Sequence, residues 1–305
     1  MAMCLALSGC TYIAIESAPA KKPSLTRSPA AIAADRRFWE VFHNGKYEEI
    51  QATLESMTGA YLKDPGDAVT ASHVAWLHIW RISERSRMDD KVAPTITDDM
   101  VLARKYFLEA STLNPADPRL LGFLAGTTLQ EGVMHKDEKR VRQGYYLLRD
   151  AIDAWPEFNL FTAGYVMSGQ PVDTPQFREA LDWQWKNLDL CAGEKISRSE
   201  PDYLRYMGQS TTVGAKRVCW NSPIAAHNFE GFFLNMGDML VKSGDWETAQ
   251  KIYRSARLSP DYGSWKFAAV LDERIRNAQA NVTPFAANKG IMLNTTYACM
   301  ACHQK

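Results

Sequence analysis

From Asp35 to about Gln279 the apolar residues recur at three- and four-residue intervals, and almost no run alternates apolar with polar as a half-buried strand requires. That regularity confines the chain to an all-α architecture. Apolar residues make up 46% of the 305, enough to give such helices a real core. Gly169, Pro171 and Pro175 separate expected helices at 158–168 and 175–191. Residues 192–222, punctuated by Gly193, Pro201, Gly208 and Gly214, read as an irregular insertion. A last helix is expected at 264–279, with Arg274, Arg276 and Asn277 facing solvent.

The sharpest segment is residues 230–262, EGFFLNMGDMLVKSGDWETAQKIYRSARLSPDY, which resembles a tetratricopeptide repeat. The resemblance places Gly237 where a first helix lets a second approach, and Gly244-Asp245-Trp246 at the turn between them. Ala249, Tyr253 and Ala256 form the small–aromatic–small face of the second helix, and Pro260 ends the unit. Fainter copies lie upstream: Gly45-Lys46-Tyr47 with Ile50 and Leu54; Ala103, Phe107, Ala110 and Pro115; Leu148, Ala151 and Pro156. The resemblance implies a degenerate solenoid of helix pairs over 35–280, with a concave face for a protein partner and flexible tails at both ends.

The C-terminal tail, 281–305, carries the second informative motif. Cys299-Met300-Ala301-Cys302-His303 is a C-x-x-C-H run with only Gln304 and Lys305 after it. Two thiols two residues apart can each add across one vinyl group of a porphyrin, and the histidine placed next can ligate the iron. The same residues admit a redox-active dithiol, which usually accompanies a βαβ pattern lacking here. They also admit a metal site, although no second C-x-x-C completes four ligands. Haem c is the favoured reading, with Cys299 and Cys302 as thioether donors and His303 as the iron ligand. Four-helix c-type cytochromes carry the run on their last helix, a likeness that covers these five residues only. Met292, His227, Met236 and Met239 are the nearby residues weighed as a second axial ligand, and for each an ordinary core role is the simpler expectation.

The start of the chain points to a compartment. Leu7-Ser8-Gly9-Cys10 resembles the lipobox of bacterial lipoproteins, which implies lipidation at Cys10. Residues 11–34 are rich in Ala, Pro and Ser, the composition of an extended linker. Membrane attachment is thus expected through lipid alone. Thirty-five basic residues balance thirty-five acidic ones, so no whole-chain field draws in nucleic acid. In an oxidising envelope Cys191 and Cys219, which flank the insertion, are expected to close it as a disulfide. No nucleophile triad, phosphate loop or paired-carboxylate signature stands out, so an ordinary hydrolase reading is unsupported. The sequence supports two functions: an envelope-anchored haem protein exchanging electrons with a docked partner, or a haem-free adapter that binds another envelope protein.

Overall fold

The structure, a computed structural model, describes residues 11–85, 96–287 and 299–305. It is all-α, with no strand among the described residues. After a short helical stretch at 11–16 come α1 (Pro29–His43), α2 (Ile50–Lys63), α3 (Ala68–Ser83), α4 (Ile96–Leu113), α5 (Pro118–His135), α6 (Glu138–Ala154), α7 (Pro156–Met167) and α8 (Pro175–Ala192). After the insertion come α9 (Asn228–Ser243), α10 (Trp246–Ser255), α11 (Ala268–Asn277), α12 (Val282–Ala287) and the single turn α13 (Met300–His303). No described helix is long and apolar enough to cross a membrane.

Local chemistry sets the helix starts. Ser28, Asp67, Asp117, Asp137, Thr174 and Asp245 each accept a first-turn backbone N–H through the side chain. Prolines 29, 118, 156 and 175 occupy first helical positions, where no N–H is missed. From α1 to α8 each helix packs on the next in sequence. In the α9–α10 hairpin, Gly244 supplies the left-handed backbone (φ 93°) that ends α9. Gly237 has no room for a Cβ because the Tyr253 ring lies against it. That ring's hydroxyl donates to the buried Asp238 at 2.6 Å.

Three sequence expectations are corrected. Residues 11–16 are helical, and the first helix of the packed body begins at Pro29, six residues before Asp35, because Ser28 caps it and Ala31 and Ala34 face the core. The stretch before it is also tied down. Lys21 Nζ donates to Tyr61 at 2.8 Å and Glu109 at 2.7 Å, Ser24 N donates to Gly66 O, and Arg27 pairs with Asp67 and Asp35. Second, Arg274 does not face solvent: its Nε donates to Asp238 at 3.2 Å and its guanidinium lies over the Phe285 ring. Third, the described end of the chain is docked. α12 packs on α9, and α13 packs on both α9 and α1. Apolar surface on those helices outweighs the polar composition of the segment leading to them.

The insertion is held as part of the core. Cys191 and Cys219 are joined by a disulfide, and Tyr203, Tyr206 and Trp220 pack against Phe229 and Phe233 of α9. Lys242, fully buried on α9, donates to the carbonyls of Ser168 (2.7 Å) and Gln170 (2.8 Å) at the end of α7. Burial pushes this lysine down from 10.5 to about 8. Its folded pKa therefore lies below the unfolded one, and between about 8 and 10.5 the unfolded chain binds more protons. Stability contributed by this group is expected to rise with pH across that window and to be least below it. The two thiols of the C-terminal turn act in the opposite sense at the upper end of this window. The rise is therefore read as the difference in chemical-denaturation stability between the parent and Lys242→Met, which should grow with pH across it.

Candidate functional site

On one helical turn, residues three and four apart share a face. Cys299, Cys302 and His303 are therefore neighbours, while Met300 and Ala301 point the other way. Those two are fully buried, Met300 among residues of α1–α5 and Ala301 among residues of α8–α11. The C-x-x-C-H turn is thus a piece of chain that joins two hydrophobic cores.

Polar contacts from distant segments fix its backbone. The Trp265 indole N–H donates to Ala301 O at 2.8 Å, the His227 amide donates to Cys302 O at 2.9 Å, and the Lys305 amide donates to His43 O at 2.8 Å. Gly231 at the start of α9 leaves the space into which Cys302 Sγ fits, and a Cβ there would collide with the sulfur. His303 Nδ1 lies 2.8 Å from the carbonyl oxygen of Ile224, and His43 Nε2 lies 3.0 Å from the same oxygen. The Phe42 ring stands 5.1 Å from the His303 ring.

Burial dominates the electrostatics of the turn, with Cys302 buried and Cys299 and His303 partly exposed. Burial, with the charge of Glu84 beside it, pushes the Cys299 thiol up to about 12. Burial, with Cys299 and Glu230 nearby, also raises Cys302. Both thiols are protonated at neutral pH, the reverse of the lowered thiol that disulfide exchange uses. Burial pushes His303 down to about 4, so its ring is neutral. Glu230 is fully buried; one oxygen meets His227 Nδ1 at 3.1 Å, and Oε2 has no hydrogen-bond partner among the described residues.

These residues fit a c-type haem on three counts. The two thiols and the imidazole share a face, the spacer residues are anchored behind them, and the His303 nitrogen facing Ile224 is Nδ1, which leaves Nε2 for iron. Cys299 and Cys302 are free thiols, not joined to each other. Among the described residues, no group of three or more His, Cys, Asp or Glu is placed to hold a bare metal ion.

The other residues weighed from sequence fall elsewhere. Cys10 and Met292 lie outside the described residues. Met236 and Met239 are core side chains of α9. His227 is committed to Glu230 and, through its amide, to the motif turn. His73 and His78 pair with Asp35 (2.6 Å) and Asp99 (2.8 Å). Sequence reasoning missed His43, Ile224, Gly231 and Trp265. Only Gly231, a glycine inside an apolar helix start, carried a visible signal. A backbone carbonyl such as that of Ile224 carries none. No protein family, curated protein or solved structure matches this chain.

Proposed function

We propose that the chain is an envelope-anchored, tetratricopeptide-like helical protein that carries one c-type haem on Cys299, Cys302 and His303 and exchanges electrons with a docked protein partner. One observation carries the reading. The C-x-x-C-H turn presents its two thiols and imidazole on one face, with His303 Nδ1 at the Ile224 carbonyl. When bound, the haem supplies a one-electron couple at its iron. The chain's own residues do the rest: Cys299 and Cys302 hold by thioether bonds, His303 offers Nε2, and Phe42 packs beside its ring. Lipid at Cys10 keeps the body at a membrane surface, and the close packing of Gly237 under Tyr253 supports the repeat-like hairpin.

Co-expression with a cytochrome c maturation system tests this. The parent is expected to be red, with colour that survives acid–acetone extraction, and Cys299→Ala with Cys302→Ala is expected to lose it completely. A colourless parent whose thiols alkylate after unfolding sinks the haem reading. The second reading, a haem-free helical adapter for an envelope protein, then takes its place. Its own support is the tight fit of the unmodified turn, with Met300 and Ala301 fully buried and Cys302 seated against Gly231.

A further inference from the structure

Three segments far apart in sequence meet at one oxygen atom. His43 ends α1, Ile224 lies in the loop before α9, and His303 closes the motif turn, with separations of 181 and 79 residues from Ile224. A carbonyl oxygen only accepts, so both ring nitrogens facing it must carry hydrogen. His43 is therefore the Nε2–H form, and His303 carries its hydrogen on Nδ1. A carbonyl has two lone pairs, so the two donors are compatible, and each restrains the direction of the other. His43 is itself anchored, since its backbone oxygen accepts from the Lys305 amide at 2.8 Å and its ring lies 4.9 Å from that of Trp39. These contacts tie α1 to His303 and Lys305, two of the three residues that follow the second cysteine of the motif. Ile224 is itself half exposed; the N–H of the same peptide donates to Ser222 Oγ at 3.1 Å, and the two histidines add the restraint at its oxygen.

We propose that His43 is a positioning residue for His303: by donating to the Ile224 carbonyl it holds that oxygen where His303 must keep its hydrogen on Nδ1 and leave Nε2 bare for a metal centre. The idea rests on the haem reading for its purpose, though not for its geometry. An imidazole whose second nitrogen donates to a fixed acceptor is a more basic ligand, which favours the oxidised metal.

Long-range proton–nitrogen NMR of the haem-free chain tests the geometry alone. In the parent, His303 is expected to show a single Nδ1–H tautomer; Nε2–H at this ring overturns the proposal. His43→Phe keeps a flat ring but cannot donate, and is expected to turn His303 into a tautomer mixture. His43→Gln, which keeps an N–H near the Nε2 position, is expected to restore the single form. An unchanged His303 spectrum in His43→Phe also overturns the proposal. Should His43→Phe fail to fold, His43→Leu, which also cannot donate, takes its place, and an unchanged His303 spectrum there overturns the proposal in the same way. In haem-loaded protein, His43→Phe is expected to raise the midpoint potential and His43→Gln to return it. A midpoint potential that does not move in a red, folded His43→Phe overturns the link to the metal. A colourless parent with the expected parent spectrum removes the haem reading and leaves the positioning intact.

Discussion

Removing residues 299–305 is expected to destabilise the protein by at least about 3 kcal/mol. Met300 is fully buried among α1–α5, and truncating such a side chain alone costs about 2–5 kcal/mol. The deletion also strands the buried Trp265 indole N–H, whose acceptor is Ala301 O, at a cost of about 1–3 kcal/mol. At about 2 °C per kcal/mol for a chain of this size, the melting temperature should fall by roughly 6 °C or more. Differential scanning calorimetry of the haem-free forms reads this directly. A terminal segment hanging free in solution would leave the melting temperature unmoved, and that result would show that the two cores do not meet through the motif turn. Met300→Ala, which keeps the backbone contacts, should recover part of the loss.

Replacing Cys191 and Cys219 together with alanine is expected to cost about 3 kcal/mol. The link spans 28 residues, and loop entropy in the unfolded chain sets that scale. The effect should begin locally. The insertion that the link closes contributes Tyr203, Tyr206 and Trp220 to the core beside α9. Near the link, Trp155 donates to Ala215 O at 3.0 Å and Lys216 to Cys191 O at 3.3 Å. Tryptophan fluorescence should therefore respond at lower denaturant than far-ultraviolet circular dichroism, whereas the parent should show one transition by both probes. Coincident transitions and an unchanged midpoint in the variant would mean that packing alone holds the insertion.

The two variants also separate the parts of the Ile224 site. The disulfide ends only five residues before Ile224, so its loss should loosen the loop that offers the shared carbonyl. Deletion of 299–305 instead removes His303 and leaves His43 facing that oxygen alone.

Local pattern by itself determined most of the scaffold. Helical spacing, prolines at first helical positions and Asp, Ser or Thr caps are interactions within a few residues, so the all-α class and the α9–α10 hairpin were legible. The spacing of Cys299, Cys302 and His303 was legible for the same reason, since one turn of helix places them on one face. Where composition stood in for pattern, the reading failed. The Ala- and Pro-rich stretch before Asp35 looked like linker, yet Ser28-Pro29 starts a helix and Arg27 ties the approach to Asp67. The end of the chain read as a mobile tail because its polar lead-in was all the sequence displayed.

Only the tertiary structure decided what surrounds the motif. Whether Met300 and Ala301 are exposed or buried depends on the faces of α1 and α9, which lie more than fifty residues away. The burial that raises Cys299 and lowers His303 comes from that packing and not from neighbouring residue types. The tautomer of His303 is set by a backbone oxygen, a group every residue carries, so no choice of side chain announces it. Short-range periodicity can specify helices; the meeting of His43, Ile224 and His303 is a long-range contact, and its chemistry exists only once the helices are packed.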